Sequence, residues 1–329
     1  MYVICLSMGG EDTLTGRDLC LFSSQMARLG CLIFFMCLIM LPAKVLAQGE
    51  GPRVYLPAPV GTNALSATWM DMKSNMNFAG NIYIPDAEIS STVYAINYNR
   101  YFSIAGRLSE IWATGIAGKV DGSATTAPFG VRSSGTSGLG DPYFALRVGL
   151  MGAPALKPAD FVKTPPGFQI YALAGISLPL GDYSQKTPLN LGTNRWALRL
   201  GLPMVLPLGK KPGVNWLEIH PNVYFYGDND EPFRADSRSQ SLLYVLESHL
   251  THNFTAKLWA GIDLRYQNGG ETTTDGTRDD NKLNRLGGGI SAGYTFSRSW
   301  NGFISYGDVI TESDNSKMNM WRARLIWIF

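Results

Sequence analysis

Cysteine is nearly absent from this sequence. The chain of 329 residues has four, Cys5, Cys20, Cys31 and Cys37, and from Gly49 onward there is none. The larger part of the chain therefore has neither a disulfide framework nor a cysteine-ligated metal site. Charge is also scarce, because Asp, Glu, Lys and Arg make up 16% of the residues, against about a quarter in a typical soluble domain. The formal net charge is +2 without any block of Lys or Arg, which argues against a nucleic-acid partner.

Long apolar runs are also scarce. The longest, Leu29–Leu41, has 13 residues, whereas a membrane-spanning helix needs about 20. This run is typical of a signal-peptide core, because Met26 and Arg28 precede it and a small residue stands at Ala47. We therefore expect Sec-type export and cleavage before Gln48.

The segments around this leader carry weaker signals. Residues 1–25 have no evident role, so translation starts at either Met1 or Met26. The predicted domains are a signal peptide with an upstream extension (1–47), a periplasmic N-terminal segment (48–61) and a membrane domain (62–329). The N-terminal segment is too short for a globular plug, and the sequence shows no sign of a short hatch.

Apolar and polar residues alternate along the chain after the leader. In 255–267, Leu258 and Ile262 take one face of a strand, while Asp263 and Arg265 take the other. Period-two alternation of this kind predicts strands with one face toward hydrocarbon and the other toward water. Twelve such runs are found: 62–73, 91–104, 107–120, 141–152, 167–179, 193–206, 213–226, 239–253, 255–267, 283–296, 299–311 and 318–329.

The number and length of these runs predict the fold class. An even count of strands, each long enough to cross a membrane when tilted, indicates an all-β protein: a transmembrane antiparallel up-and-down β-barrel of about 12 strands, of the bacterial outer-membrane type. A soluble β-sandwich is the alternative that alternation alone leaves open. Short turns and long polar connections alternate, with 153–166 as a long exception, and the long ones are expected to face outward. Gating would then fall to the long connections, chiefly 74–90 and 121–140.

The last strand carries its own signal. Its outward ladder, which ends on the terminal residue, consists of Trp321, Ala323, Leu325, Trp327 and Phe329. This pattern resembles the C-terminal assembly signal of bacterial outer-membrane proteins, which implies the assembly machinery and outer-membrane lipid as partners. A buried edge strand of a soluble fold is the alternative, but Arg322 and Arg324 on the opposite face fit a water-lined interior better.

Glycine-rich motifs recur at the strand ends. They are Gly138-Leu-Gly-Asp-Pro142, Pro179-Leu-Gly-Asp-Tyr183, Asn190-Leu-Gly-Thr-Asn-Arg-Trp196, Tyr226-Gly-Asp-Asn-Asp230 and Gly269-Gly-Glu-Thr-Thr273. In order and spacing they resemble the outer-membrane transporters grouped as phenol-degradation (MetA-pathway) proteins, over nearly all of 60–329. The resemblance implies a β-barrel that handles aromatic or other hydrophobic compounds.

Two sets of candidate site residues follow from this topology. One is a polar ring at the solute entrance, formed by Asp141, Asp182, Arg195, Asp228 and Asp230, although these motifs also suit simple turns and bulges. The other faces the lumen and consists of Arg147, Arg199, Glu218, His220, Glu247, His249, Asp263, Arg265, Arg322 and Arg324. These charges either pair and fill a narrow interior or line a slightly basic channel.

The chain has three histidines, His220, His249 and His252, and none is expected to pair with a serine on the lipid side, as an outer-membrane lipase would need. We therefore predict no enzyme, no spaced histidine and carboxylate cluster for a metal, and no cofactor. The predicted function is passive passage of small hydrophobic or aromatic molecules. The alternatives are a non-transporting structural or adhesive barrel and, less favoured, a lipase.

Overall fold

A computed structural model describes residues 49–77, 82, 84, 86–124, 134–312 and 315–329 of the chain. The predicted signal peptide and its extension lie outside these residues, as does much of the connections 74–90 and 121–140. Among the described residues, no helix is long and apolar enough to cross a membrane. A single helical turn, Pro158–Phe161, interrupts the long connection noted at 153–166.

Twelve principal strands make up the sheet. In chain order they are β1 (Asn63–Ser74), β2 (Ala87–Ile104), β3 (Arg107–Ala124), β4 (Tyr143–Met151), β5 (Gln169–Ser177), β6 (Ala197–Gly201 and Met204–Leu208), β7 (Asn215–Tyr226), β8 (Leu243–Asn253), β9 (Leu258–Gly269), β10 (Leu283–Thr295), β11 (Trp300–Glu312) and β12 (Met318–Ile328). Each is antiparallel to its neighbours in sequence, and β1 also pairs with β12, from Ala64 opposite Ile328 to Ser74 opposite Met318. The sheet is thus a closed barrel, and the predicted fold class is confirmed.

Several strands differ from the prediction. The strand predicted at 91–104 begins at Ala87, and the one predicted at 239–253 begins at Leu243. The run 193–206 begins later, at Ala197, and is interrupted at Pro203, because proline has no backbone N–H to donate to the ladder. The predicted loop 121–140 is partly strand: β3 continues to Ala124, and Ser134–Leu139 pairs with its far half. Polar, glycine-rich extensions such as these lack the apolar alternation on which the prediction depended.

The two rims of the barrel are different. The rim that carries Asn63 and Phe329, here called the terminus rim, has short turns apart from residues 152–168. The opposite rim, here called the loop rim, carries the long connections. At that rim Arg238–Gln240 pairs with Thr272–Thr274 in a small separate sheet. Arg238 and Thr272–Thr274 were expected to be loop, whereas 239–240 were predicted as the start of the barrel strand 239–253.

Side chains alternate between the interior and the outer surface. On β8, Tyr244, Leu246 and Leu250 are exposed, whereas Val245 and His249 are buried inside the barrel. The exposed apolar band is what a lipid-facing surface requires.

The buried apolar residues form separate groups inside the barrel. One group toward the loop rim, here called the methionine cluster, consists of Met72, Met76, Val93, Leu243, Val245, Leu283, Val309, Met318 and Met320. A second group, rich in aromatic residues, includes Trp112, Tyr171 and Trp216 and also takes in Tyr55 of the N-terminal segment.

Candidate functional site in the barrel interior

Charged and histidine side chains lie together on the inner surface of the barrel, on the terminus side of the methionine cluster. This set is here called the ionic belt, and it consists of Glu110, Arg147, Arg199, Glu218, His220, Glu247, His249, Asp263, Arg265 and Arg322. All but Arg265 are less than 4% exposed, and the side chain of Arg265 is 13% exposed.

Strand register brings six of these residues into two rows across β7, β8 and β9. In one row Glu247 lies opposite both His220 and Arg265. In the next row His249 lies opposite both Glu218 and Asp263. Each strand contributes residues two positions apart, which share a face. The partners of Asp263 and Arg265 on β10 are Gly289 and Gly287, and glycines have no side chain to compete for interior space.

Direct contacts order the row of His249. Its Nδ1 lies 2.6 Å from Asp263 Oδ1, and Asp263 also accepts a hydrogen bond from the Ser291 hydroxyl. An ionised carboxylate only accepts, so Nδ1 is the donor. The other nitrogen, Nε2, then faces Glu247 Oε2 at 3.8 Å.

The row of Glu247 has looser contacts. Arg265 Nε lies 3.4 Å from Glu247 Oε1, and His220 Nε2 lies 3.7 Å from Glu218 Oε2 of the neighbouring row. These separations exceed ordinary hydrogen-bond lengths. Neither ring nitrogen of His220 has a hydrogen-bond partner among the described residues.

On the opposite side of the belt, Arg147 and Glu110 form a buried ion pair. Arg147 Nη2 lies 2.6 Å from Glu110 Oε2, and both side chains are at most 1% exposed. Asn99 donates to the same carboxylate at 2.6 Å, and the Arg147 guanidinium lies 4.3 Å from the centroid of the Tyr171 ring. This part of the belt is therefore a buried ion pair with contacts to Asn99 and Tyr171.

The N-terminal segment enters the barrel, so the expectation of no short hatch is corrected. Tyr55 is fully buried, and its carbonyl accepts a hydrogen bond from Arg147 Nη1 at 2.6 Å. The Arg53 backbone N–H donates to Glu218 Oε1 at 2.7 Å, and its Nε donates to Thr251 at 3.1 Å. The predicted periplasmic segment therefore starts inside the belt. Its signal was missed because it has no periodic apolar pattern of its own.

Residues 49–51 also contact the ionic belt. Arg322 donates to the Gly49 carbonyl at 2.7 Å, and Arg199 forms an ion pair with Glu50. A Cβ on Gly49 would lie 2.0 Å from Glu247 Oε2, and Gly51 has a φ of 91°. Glycine is therefore favoured at both positions, for close approach to the Glu247 side chain at the first and for backbone conformation at the second.

The five predicted entrance residues differ in their burial and contacts. Asp141 is buried and accepts hydrogen bonds from the backbone N–H groups of Gly181 (2.9 Å) and Thr193 (2.8 Å). Asp182 accepts one from Leu139 N–H at 2.7 Å. These two carboxylates hold neighbouring loops together. Their contacts fit the alternative that these motifs form turns and bulges.

The remaining three lie nearby but differ in exposure. Arg195 is buried, with its guanidinium 4.7 Å from the centroid of the Tyr226 ring. Burial lowers the pKa of this guanidinium to about 10, so it stays charged at neutral pH. Asp228 and Asp230 are exposed at the loop rim.

Two other predicted sets have clear positions. Arg324 donates to Thr68 Oγ1 at 2.9 Å, on the terminus side of the belt. The four residues of the proposed assembly signal are exposed on the outer surface: Trp321, Leu325, Trp327 and Phe329.

The expectation of no spaced histidine and carboxylate cluster is corrected. Ligand atoms of His220, Glu247 and His249 lie within 4.8 Å of one another, and all three residues are buried. The sequence signal is a repeated Glu-x-His, at 218–220 and 247–249. It becomes informative only when β7 and β8 are known to pair, because antiparallel pairing then sets each glutamate opposite the other histidine.

The closed ladder and the apolar outer band define an outer-membrane β-barrel protein. A family model described as "Putative MetA-pathway of phenol degradation" matches residues 62–315. The chain belongs to this family, which confirms the resemblance inferred from the glycine-rich motifs. Among curated proteins none matches the chain in sequence.

Solved structures agree on the fold. An outer membrane channel from Pseudomonas putida F1 is similar with a TM-score of 0.71 and 20% identity, over 85% of this chain and 100% of that one. The beta domain of the Bordetella autotransporter Brka gives 0.52 and 11%, over 82% and 100%. The translocator domain of the autotransporter NalP from Neisseria meningitidis gives 0.50 and 13%, over 84% and 90%.

Proposed function

We propose that this protein is a passive outer-membrane channel for small hydrophobic or aromatic molecules. The observation that carries the proposal is the methionine cluster, which gives the interior an apolar, adaptable lining next to the loop rim. Methionine side chains are flexible and polarizable, and they make favourable contacts with aromatic rings. Family membership and the similarity to an outer membrane channel from P. putida support the same function.

Passage through the barrel would require the N-terminal segment to move. Its contacts with Arg147, Arg199 and Arg322 cross the interior at the ionic belt. We propose that this segment is the gate, in place of the loops expected from the sequence. An apolar solute would then enter at the loop rim and remain beside the methionine cluster, on the loop-rim side of the ionic belt, until the segment is displaced.

The test is uptake of the apolar aromatic probe N-phenyl-1-naphthylamine by intact cells that express the protein. We expect faster uptake than in cells with an empty vector, and a further increase when residues 49–56 are deleted. Met320→Arg should slow uptake, while Met151→Arg, at an exposed position on the outer surface, is the matched control.

Planar-bilayer conductance separates this function from the structural or adhesive alternative. Open steps that become more frequent on deletion of 49–56 would support a gated channel. A folded barrel with neither conductance nor probe uptake, before or after the deletion, would contradict the channel and favour the structural role. We propose no catalytic activity, and probe uptake without hydrolysis of a phospholipid is the expected pair of results.

Several finer assignments belong to the same proposal. We infer that the leader is removed near Ala47, which leaves one residue ahead of Gly49 at the belt, and N-terminal sequencing of the membrane form tests this. We infer that the ladder ending at Phe329 is read by the assembly machinery, so deletion of Phe329 should reduce the amount of barrel in the outer membrane.

The entrance residues are the last of these assignments. Asp228 and Asp230 are the exposed pair at the loop rim, and neutralising both to Asn tests their effect on ion selectivity. The same change at Asp141 should instead loosen the loops, since its carboxylate holds two backbone N–H groups.

A further inference from the structure

The inner surface of β7 and β8 carries three ligand-type side chains whose free atoms converge. His220, Glu247 and His249 are each at most 2% exposed, and their ligand atoms lie within 4.8 Å of one another. Among the described residues, both nitrogens of His220 and Nε2 of His249 have no hydrogen-bond partner. Buried polar atoms are rarely left in this state unless a water or an ion completes them.

A second observation points to a metal ion. His249 is held through Nδ1 by Asp263, at 2.6 Å, and Asp263 is held in turn by Ser291. A metal-bound histidine commonly donates its other ring N–H to a carboxylate, which fixes the ring and raises its basicity. Here that arrangement leaves Nε2 facing Glu247 Oε2, so the lone pair of Nε2 is directed to the cluster.

We propose that His220, Glu247 and His249 bind a divalent transition-metal ion of the Zn²⁺ class on the inner surface of the barrel. Two imidazole nitrogens and one carboxylate oxygen form a ligand set that Zn²⁺ accepts. In a tetrahedral site with bonds of about 2.0–2.1 Å, ligand atoms are about 3.3 Å apart. The separations are 3.8 Å between His249 Nε2 and Glu247 Oε2 and at most 4.8 Å within the set, so binding needs side-chain shifts of about 0.5–1.5 Å.

The surroundings complete the site. Glu218 Oε2 lies 3.7 Å from His220 Nε2 and has no hydrogen-bond partner among the described residues, so it is the candidate fourth ligand. Gly49 approaches Glu247 closely, and the ring centroids of Tyr55 and His220 are 4.2 Å apart in an edge-to-face arrangement. The N-terminal segment thus covers the site and would exclude bulk water from it.

The experiment measures Zn²⁺ bound to the full protein purified from outer membranes, after dialysis against Zn²⁺ at several concentrations. We expect about one ion per chain. His220→Gln and His249→Gln should each weaken binding by at least about tenfold, and Asp263→Asn by about 10–100-fold, the usual effect of losing an outer-shell partner. His252→Gln is the matched control, because His252 is exposed and bonds Asn215, and it should bind as the unaltered protein does.

The absorption spectrum of Co²⁺ bound to the unaltered protein gives a second measurement, which does not depend on the folding of any variant. Intense visible bands of low-symmetry four-coordinate Co²⁺, removed by Zn²⁺, are expected. Less than about a fifth of an ion per chain, absence of those bands, or an equal loss of binding in His252→Gln would overturn the proposal. In that event the cluster is a network of ion pairs, in which His249 lies between Glu247 and Asp263.

Discussion

The methionine cluster and the ionic belt share two strands, β8 and β12, and occupy successive positions on each of them. On β8 the inward residues change from Leu243 and Val245 to Glu247 and His249. On β12 they change from Met318 and Met320 to Arg322 and Arg324. On these two strands the regions share one antiparallel ladder and differ in side chains about two residues apart, a rise of about 7 Å.

Because of this difference, one part of the barrel interior can adapt to different solutes, while another part makes contacts in fixed positions. Apolar contacts in the cluster are non-directional, so flexible side chains can rearrange around a solute. Contacts in the belt are directional, and each buried charge needs a partner in a fixed place. The belt, with arginines from separate strands, is therefore the region able to hold the N-terminal segment in one position.

The largest expected effect is in the belt. Arg147→Ala leaves Glu110 buried without its cation, and breaking such a pair costs about 3–5 kcal/mol. The free energy of unfolding in lipid vesicles, measured by urea titration, should fall by this amount. Arg298→Ala, in an exposed turn, should change it little.

The double variant Arg147→Met, Glu110→Leu sharpens this prediction, because replacing both charges by apolar groups removes the unpaired charge. Most of the lost stability should return. If Arg147→Ala alone were neutral, the belt would be hydrated rather than tightly paired, and its contrast with the cluster would disappear.

The second effect is in the cluster. Leu243 is 2% exposed, and its truncation to Ala should cost about 2–3 kcal/mol, in the lower part of the range for core leucines because methionine neighbours can refill the space. The same urea titration measures it. Leu246→Ala, on the exposed outer face of β8, is the control, and a larger loss there would place the stabilising contacts outside the barrel.

The sequence predicted the cluster and the belt unequally. Strands and their faces were predictable because alternation is local, and Arg147, Glu218 and His220 were assigned to the interior from their own strands. The methionine residues of β1 and β12 were not recognised as one cluster, since closure brings strands from the two ends of the barrel domain together. Pairing of distant strands carries no local signal.

The contacts between rows were also beyond sequence reasoning. Glu218-Ile-His220 and Glu247-Ser-His249 form a site only in one register, and a shift of one residue would turn one set to the lipid side. The N-terminal segment was missed for a related reason. Its position depends on arginines from β4, β6 and β12, each supplying one contact.

The third prediction concerns a charged residue placed in the methionine cluster. Met320→Arg places a charge among apolar neighbours, where it is costly to desolvate. Uptake of N-phenyl-1-naphthylamine should fall about tenfold, which corresponds to a barrier higher by about 1.4 kcal/mol. Unchanged uptake, in cells with equal amounts of folded barrel, would mean that solute does not pass the cluster.

The smallest expected effect concerns the binding of the N-terminal segment to the ionic belt. Gly51 has a φ of 91°, and a Cβ there would lie 2.6 Å from Arg322 Nη1. Gly51→Ala should therefore weaken the binding of the N-terminal segment to the ionic belt by about 1 kcal/mol. This change raises the population of the displaced segment about fivefold. Single-channel recording should show a matching rise in open time, whereas Gly167→Ala, where a Cβ meets no atom within 4 Å, should show none. Equal open times for the two variants would mean that the segment does not gate the barrel, and the belt would then be a fixed constriction through which only the loops control access.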